Sequence, residues 1–163
     1  MTKSTIILCD IDGVIVDAQP VYDMIDKQIE GPIGHLHYKA YDEIAETAEI
    51  STAGVELLYS FIKANCDIYF LTARSEAIRA KTEQLLYRLG LLQNPKHLLM
   101  RTEDYKVPST IVKARQIKEV INLTGTIPDL FIDDSLNNCM EAMANGVPVL
   151  RVQCLSETTL NII

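Results

Sequence analysis

Two aspartates one residue apart follow an apolar run near the start of the chain. The stretch "ILCDIDGVIVDAQP" places Asp10 and Asp12 directly after apolar residues and continues with Gly13. Carboxylates at the end of a buried strand raise each other's pKa unless a cation joins them. The pair is therefore compatible with a Mg²⁺ site for phosphate chemistry, although Asp-x-Asp-Gly is also typical of a sharp turn.

Further polar groups lie beside later apolar runs. They are Thr72 and Arg74 in "FLTARSE", Lys113 in "PSTIVKARQ", and Asp133 and Asp134 in "LFIDDSLNN". Each group alone has a structural interpretation, such as a helix cap for the aspartate pair or a solvated helix charge for the lysine. Each of these groups lies at the end of a predicted strand or in a predicted helix. Their order along the chain therefore favours one shared site.

Short apolar runs predict the strands that would position these groups. The runs lack polar alternation, which is typical of strands covered on both faces of a parallel sheet. They are "TIILC" (5–9), "IYFL" (68–71), "HLLM" (97–100), "LFI" (130–132) and "VPVLRV" (147–152).

Helical patterns lie between these runs, and each begins near a residue that could cap it. The predicted caps are Ser51 or Thr52, then Ser75, Ser109 and Ser135. Alternation of strands and helices predicts an α/β fold, a Rossmann-like three-layer sandwich with a central parallel sheet. Ligands in such sheets bind outside the carboxyl ends of the strands, where the polar groups lie.

An irregular connection, 18–50, separates the first strand from the first capped helix. It carries Gly31, Pro32 and Gly34 and is too short for a separate domain. We therefore expect a single domain, 1–163. The connection is interpreted either as a flap or minimal cap over the site or as a surface excursion.

Side chains within this connection are secondary candidates. His35 and His37 form "HLH" without an evident third ligand, which favours a rim position over a metal site. Tyr38 and Tyr41 could stack on a base or anchor the connection, and both interpretations stay open. Asp17, just before the connection, is expected to be a loop or cap residue outside the catalytic set.

Composition narrows the class of protein. No apolar run approaches the roughly 20 residues that cross a bilayer, and the N-terminus lacks a signal-peptide pattern. We therefore expect a cytoplasmic protein with no membrane partner.

A net charge of -7 argues against a protein that coats long nucleic acid, but it does not argue against a protein that binds a single phosphate. The widely spaced cysteines favour buried thiols over a disulfide framework or zinc site.

Taken together, the motifs resemble those of the haloacid dehalogenase superfamily of phosphotransferases. "DIDGV" is similar to the first motif, DxDG[T/V], "LTAR" to the second and "IDDS" to the DD form of the fourth, with Lys113 as the third-motif lysine. The ordered set runs from Ile6 to about Val152, nearly the whole chain. It implies a haloacid dehalogenase-like fold with a minimal cap and a Mg²⁺-dependent phosphatase activity.

The resemblance also implies roles for the aspartates. Asp10 would be the nucleophile that forms an aspartyl-phosphate, and Asp12 would be the general acid and then the general base. Mg²⁺ would be held by Asp10, the main-chain oxygen of Asp12, and the aspartate pair. Asp134 is the first choice for direct contact with the metal, and Asp133 would support the metal directly or through water. The order of roles within the pair stays open.

The remaining motif residues would bind substrate. By resemblance, Thr72, Ala73 and Lys113 contact the transferring phosphate, and Arg74 contacts the rest of the substrate or its phosphate.

Longer stretches resemble one branch, the 3'-phosphatase domain of polynucleotide kinase-phosphatases. The matching segments are "FLTARSE", "LLMRTEDYKVPSTIVKARQI" and "IDDSLNNCMEAMANGVPVLRV". In that branch an arginine follows the second motif, as Arg74 does here, and Arg101 holds the matching "MR" position. Ser109 stands where the branch often has an aspartate. The chain lacks GxxxxGK[ST], which implies a phosphatase without a kinase.

A second branch and a second class compete with this interpretation. "DIDGVIVD" also resembles the first motif of 5'(3')-deoxyribonucleotidases, whose second motif usually lacks the "TAR" arginine. The implied partner is thus a nucleic-acid 3'-phosphate end, a nucleotide or another phosphorylated small molecule, with no obligate protein partner evident. A catalytically idle binding module is the rival class, and the intact set of charged residues argues against it.

Overall fold

A computed structural model describes residues 3–163, which form an α/β/α sandwich. The first two residues of the predicted domain, 1–163, lie outside the described part. The strands are β1 (Ile6–Cys9), β2 (Val16–Asp17), β3 (Glu49–Ile50), β4 (Asp67–Ser75), β5 (Leu98–Arg101), β6 (Leu130–Asp133) and β7 (Val149–Arg151). The helices are α1 (Gln19–Asp26), α2 (His35–Ile44), α3 (Thr52–Lys63), α4 (Arg79–Arg88), α5 (Ser109–Thr124), α6 (Leu136–Ala144) and α7 (Glu157–Leu160).

Five strands form the central sheet in the order β5-β4-β1-β6-β7, and every neighbouring pair is parallel. The chain builds outward from β1 first through β4 and β5, and then through β6 and β7 on the other side. The strand order therefore reverses at β1, which is where open parallel sheets form a ligand crevice at the carboxyl ends of the strands. The predicted Rossmann-like sandwich is confirmed.

Both faces of the sheet are covered by helices, which explains why its strands lack polar alternation. Ile7 and Cys9 of β1 belong to the core beneath α3 and α4, with Leu58 and Leu86. Alternate residues of the same strand belong to the core beneath α5 and α6. Because successive strand side chains point to opposite faces, a strand buried on both sides needs apolar residues at every position.

The 18–50 connection contains α1, α2, a single turn (Ala45–Thr47) and β3, which pairs antiparallel with β2. It has a small apolar core of its own, with Val21, Ile25 and Tyr41 among its buried residues. The following helix, α3, begins as predicted, since the Ser51 hydroxyl accepts a hydrogen bond from the Gly54 N–H. The connection is thus regular structure, folded against the carboxyl edge of the sheet.

The structure corrects two predicted helix starts and one strand end. The strand predicted over 68–71 continues to Ser75, because Ser75 still pairs with Arg101 of β5 after a shift of register. Ser75 caps only a single turn (Glu76–Ile78), and α4 begins after it. Ser109 is the first residue of α5 rather than its cap, the cap position being Pro108. Ser135 caps α6 as predicted.

Asp17 differs from the loop or cap residue that was predicted. It lies in β2, is 2% exposed, and accepts hydrogen bonds from the Ser156 N–H and hydroxyl at 3.1 and 3.0 Å. The Thr159 hydroxyl donates to the same oxygen at 2.5 Å. The aspartate therefore fastens the C-terminal helix α7 to the body of the protein, a contact between residues far apart in sequence.

The structure also bears on the expectations about cysteines and membrane-spanning segments. All four cysteines are free, and Cys9, Cys66 and Cys139 are buried. Within residues 3–163, no helix has both the length and the apolar character needed to span a bilayer.

Candidate active site

The predicted site residues converge at the carboxyl edge of the sheet, beside the strand β1 at which the strand order reverses. Asp10 follows β1, Thr72 and Arg74 lie in the second half of β4, and Asp133 ends β6. Lys113 enters from the first turns of α5. A cavity of about 320 Å³ opens over this edge and is closed on its other side by the 18–50 connection.

Lys113 is a fully buried cation between two aspartates. Its ammonium lies 2.8 Å from Oδ1 of Asp10 and 3.4 Å from Oδ2 of Asp133, and it also donates to the Leu71 carbonyl. Burial favours the neutral amine, but the two carboxylates outweigh it and hold the pKa of Lys113 above its ordinary value. The alternative interpretation of Lys113 as a solvated helix charge is thus excluded.

Three carboxylates form the described cluster that could hold a metal ion. Ligand atoms of Asp10, Asp133 and Asp134 all lie within 4.8 Å of one another. Burial raises the pKa of Asp10 well above its ordinary value, and Lys113 offsets this only in part. Burial and the adjacent Asp133 raise the pKa of Asp134 to about 6. A bound cation removes this mutual repulsion, so the residues fit a divalent ion with oxygen ligands.

Gly13 makes room for this cluster. A Cβ atom on Gly13 would lie 2.3 Å from Oδ2 of Asp134, and the residue has φ of +84°, which side chains rarely adopt. The glycine of the first motif therefore lets the fourth-motif carboxylate approach the first strand.

The two aspartates of "IDDS" occupy different surroundings. Asp133 is fully buried and accepts hydrogen bonds from the Ser135 N–H at 2.8 Å and from the Asn138 side-chain amide at 3.2 and 3.3 Å. Asp134 lines the cavity, where part of its surface is exposed. Asp133 is thus held by protein donors, whereas Asp134 presents its carboxylate to the open side of the cluster.

Asp12 stands apart from the cluster and is held by residues of two other elements. The Arg74 guanidinium donates to it twice, from Nε at 3.0 Å and from Nη2 at 2.7 Å. The Tyr41 hydroxyl of α2 donates to the same carboxylate at 2.5 Å. Burial alone would raise the pKa of Asp12, but these donors hold it below its ordinary value.

The residues predicted to bind phosphate differ in their access to the cavity. Ala73, Arg74 and Lys113 line it, whereas Thr72 is fully buried behind its wall. The Thr72 hydroxyl accepts a hydrogen bond from the Arg74 N–H at 3.1 Å, which leaves the hydroxyl proton able to donate. Arg74 is engaged with Asp12 rather than extended towards the opening.

The sequence analysis did not identify several residues that hold the elements around the site in position. Gln116 donates to the carbonyls of Thr72 and Leu99, at 2.8 and 3.1 Å, and so ties α5 to two strands. Its spacing of three from Lys113 places both on one helix face, a usable signal. Asp42 of α2 accepts from the Ser75 N–H at 2.8 Å and from the Tyr105 hydroxyl at 2.7 Å. Nothing in the local sequence indicates those contacts.

Tyr41 is fixed in place by packing within the 18–50 connection. Its ring stacks on Tyr22 with centroids 4.5 Å apart and planes at 7°. Tyr22 in turn meets Tyr38 edge to face at 6.4 Å. Tyr41 therefore acts as an anchor of the connection, which is one of the two interpretations that the sequence left open, and its hydroxyl also contacts the motif residue Asp12.

Other singled-out residues do not join the cluster. His35 is exposed, while His37 is buried, with Nε2 3.5 Å from Asp26, so the two rings do not share a site. Arg101 donates to the carbonyls of Ala73, Asp104 and Val107 and so shapes the loop after β5. The Ser109 hydroxyl bonds Asn138 Oδ1 at 3.2 Å.

Solved structures with this fold include enzymes of several kinds. A chain of the Pnkp1/Rnl/Hen1 RNA repair complex matches at 20% identity and a TM-score of 0.66, over 96% of this chain and 44% of that one. The class C acid phosphatase from Bacillus anthracis with tungstate bound matches at 20% identity and a TM-score of 0.66, over 94% and 68%. A haloacid dehalogenase-like family hydrolase from Streptococcus pneumoniae matches at 13% identity and a TM-score of 0.56, over 99% and 91%.

These similarities establish a haloacid dehalogenase-like fold and confirm the predicted resemblance at that level. The chain spans less than half the length of the first two structures, which both come from Pnkp1/Rnl/Hen1 assemblies. No family model matches the sequence, and no curated protein matches it either.

Proposed function

We propose that the protein is a Mg²⁺-dependent phosphomonoesterase that works through an aspartyl-phosphate on Asp10. The observation that carries the proposal is the cluster around Lys113, in which a buried ammonium and three carboxylates meet at the open end of a parallel sheet. A structural core has no use for several buried acids that need a cation. A bound metal ion provides the positive charge that offsets these carboxylates and an incoming phosphate dianion.

In the first step Asp10 attacks the phosphorus atom of the ester. A bond forms between an Asp10 carboxylate oxygen and phosphorus while the bond from phosphorus to the leaving oxygen breaks. The free protein holds Asp12 ionised, because Arg74 and Tyr41 lower its pKa, so the substrate must first draw Arg74 away from it. The protonated Asp12 then donates its proton to the leaving oxygen, and the alcohol leaves neutral. Lys113, 2.8 Å from Asp10, lowers the repulsion between nucleophile and phosphate.

In the second step water attacks the same phosphorus atom. Asp12 accepts a proton from the water, the bond between phosphorus and Asp10 breaks, and inorganic phosphate is released. Asp12 therefore needs a stable position through both steps, which the contact from Tyr41 supplies once Arg74 has turned to the substrate.

The Mg²⁺ ion would be held by Asp10, Asp134 and the main-chain oxygen of Asp12. Asp133 would support this set without direct contact to the ion. When bound, the ion neutralises charge on the phosphate and orients it for in-line attack. The exposure of Asp134 favours it as the direct ligand, because the Asp133 carboxylate is already engaged by protein donors.

The proposed substrate is a nucleic-acid 3'-phosphate end. The similarity to a chain of an RNA repair complex supports this class, together with the matching "FLTARSE" and "IDDS" segments. A free nucleotide is the second candidate. Its support is the size of the site cavity, about 320 Å³, with Tyr22, Tyr38 and Tyr41 in its wall, since aromatic rings stack readily on bases.

Hydrolysis of a chromogenic phosphate ester, measured with Mg²⁺ and with EDTA, tests the proposed activity. We expect turnover that requires Mg²⁺ and is lost in Asp10→Asn. Asp23→Asn, which changes an exposed acid of α1, serves as the matched control and retains turnover. Unchanged activity in Asp10→Asn would contradict the assigned nucleophile.

A substrate panel then separates the two candidates. It contains 3'-phosphorylated oligonucleotides, nucleoside monophosphates and sugar phosphates, compared by kcat/KM. The proposal predicts that a nucleic substrate is preferred, and it fails if sugar phosphates turn over far faster than either nucleic class.

A further inference from the structure

A second cavity adjoins the candidate site. It has a volume of about 500 Å³ and lies between the start of α2 and the loop that leads into α5. Tyr38, Ser109 and Ser135 line both this cavity and the one that contains Asp10, so the two spaces lie side by side. We name this second space the α2–α5 groove, defined by the residues that line it: Gly34, His35, Tyr38, 105–110, Ser135 and Asn137.

The groove exposes a lysine and no acidic lining residue, although the protein as a whole is acidic. The chain has 22 acidic residues, yet no Asp or Glu is among the residues that line the groove. Two basic side chains, His35 and Lys106, are exposed there. The nearby Asp104 carboxylate accepts a hydrogen bond from the Lys106 backbone N–H, and the described ion pairs leave the Lys106 ammonium without an acidic partner.

An aromatic ring stands at the junction of the two cavities. Tyr38 is 39% exposed, and its ring is braced edge to face by Tyr22 at 6.4 Å. A braced, partly exposed ring offers a surface on which a base can stack at low entropic cost. Tyr38 borders both cavities, but the groove itself has no task in the hydrolysis of a small phosphate ester at Asp10.

We propose that the α2–α5 groove binds the nucleotide that precedes a 3'-phosphorylated end, with Lys106 at the internal phosphodiester. The inference rests on the proposed phosphatase activity and deepens it by naming a strand, rather than a free nucleotide, as the substrate. A nucleoside 3'-phosphate fills only the cavity over Asp10. A dinucleotide adds one internal phosphate and one base, which are the groups that the lysine and the tyrosine suit.

The experiment compares kcat/KM for a nucleoside 3'-phosphate and for the matching dinucleotide 3'-phosphate, in both deoxyribose and ribose series. We expect the dinucleotide to be favoured about fivefold to tenfold in at least one series, the range of one charge-assisted contact. Lys106→Glu should bring the ratio close to one. Lys118→Glu, an exposed lysine on the outer part of α5, is the matched control and should leave the ratio as in the wild type.

Salt dependence gives a second measurement on the same variants. Each lysine contact to a single strand contributes about 0.7 to the slope of log affinity against log salt. For a 3'-phosphorylated oligonucleotide, the slope of kcat/KM should fall by about that amount in Lys106→Ala and stay unchanged in Lys118→Ala.

The outcomes distinguish failure of the groove from failure of the activity. If the wild type hydrolyses both substrates with a ratio of one or less, or if Lys106→Glu lowers both rates equally, the groove assignment is wrong and the phosphatase stands. If no ester is turned over, the activity is wrong. Fluorescence anisotropy with a 5'-labelled, 3'-phosphorylated oligonucleotide then tests the groove assignment without turnover. Binding that is unchanged in Lys106→Glu would overturn that assignment.

Discussion

The ammonium of Lys113 lies 2.8 Å from Asp10 and 3.4 Å from Asp133, and it thereby joins the ends of two adjacent parallel strands from a helix on one face of the sheet. The lysine is fully buried, so its charge has no access to water. Both aspartates in turn depend on it for a compensating charge. This one side chain therefore links the stability of the fold to the electrostatics of the candidate site.

Replacement of Lys113 by methionine should abolish turnover and destabilise the protein. The change leaves two buried carboxylates without their cation, and breaking such a pair costs about 3–5 kcal/mol. Urea unfolding in the presence of EDTA measures the loss. Lys118→Met, on the exposed side of the same helix, should stay within about 0.5 kcal/mol of the wild type. A Lys113→Met protein as stable as Lys118→Met would contradict this account.

Gly13→Ala should weaken metal binding more than it weakens the fold. The new Cβ would meet Asp134 Oδ2 at 2.3 Å and displace the exposed carboxylate of the cluster. We expect the Mg²⁺ concentration for half-maximal activity to rise at least about tenfold, as for other changes that disturb ligand orientation. Mg²⁺ titration of ester hydrolysis is the measurement.

Gly31→Ala is the control for backbone strain in that experiment. Gly31 also has positive φ, +102°, but open space surrounds its missing Cβ. If Gly31→Ala shifts the Mg²⁺ requirement as much as Gly13→Ala does, the effect comes from strain and not from Asp134.

Tyr41→Phe should lower kcat while leaving KM nearly constant. The variant keeps the ring that stacks on Tyr22 and removes only the hydroxyl that donates to Asp12 at 2.5 Å. Loss of one orienting hydrogen bond on the acid–base residue corresponds to about a tenfold fall in rate. Tyr22→Phe, which removes the neighbouring hydroxyl from the same stack, should retain the wild-type kcat. Equal effects in both variants would assign Tyr41 a packing role only.

Asp17 should make the fold more stable at neutral pH than in acid. Burial favours its neutral form, but hydrogen bonds from Thr159 and Ser156 outweigh burial and hold the pKa of Asp17 below its ordinary value. The stabilisation is therefore complete above about pH 4 and is lost as the pH falls through the folded-state pKa.

Thermal unfolding from pH 7 to pH 2 tests this contribution. Asp17→Asn should be less stable than the wild type at pH 7, by about 1–3 kcal/mol, and the gap should close in acid. Asp23→Asn provides the matched exposed control. A gap between Asp17→Asn and the wild type that is constant across this range would show that the charge of Asp17 does not matter.

The convergence of Asp10, Lys113 and Asp133 could be predicted from the sequence because it follows from topology. In a parallel sheet the carboxyl ends of all strands share one edge, so residues that follow successive apolar runs must lie near one another. The strand order with β1 at the reversal then brings "DIDG" and "IDDS" side by side. Apolar runs and motif spacing predict the shared edge, whereas the strand order is known only from the structure.

The contacts of Tyr41 and Asp17 could not be predicted, because they depend on how irregular segments pack. The Tyr41 hydroxyl reaches Asp12 only because the 18–50 connection folds back over the sheet edge. Asp17 finds its partners 139 and 142 residues further along the chain. The Ser109 cap failed for a local reason, since Pro108 takes the cap position and frees the serine hydroxyl for Asn138.

The measurement that tests the central claim most directly is a search for phosphate covalently bound to Asp10. The protein is mixed with a ³²P-labelled phosphomonoester and Mg²⁺, quenched in acid within the first turnover and digested into peptides. The account predicts label on the peptide that contains Asp10, removable by hydroxylamine and absent in Asp10→Asn. Steady turnover with no labelled peptide at any quench time, or label on a peptide without Asp10, would contradict it.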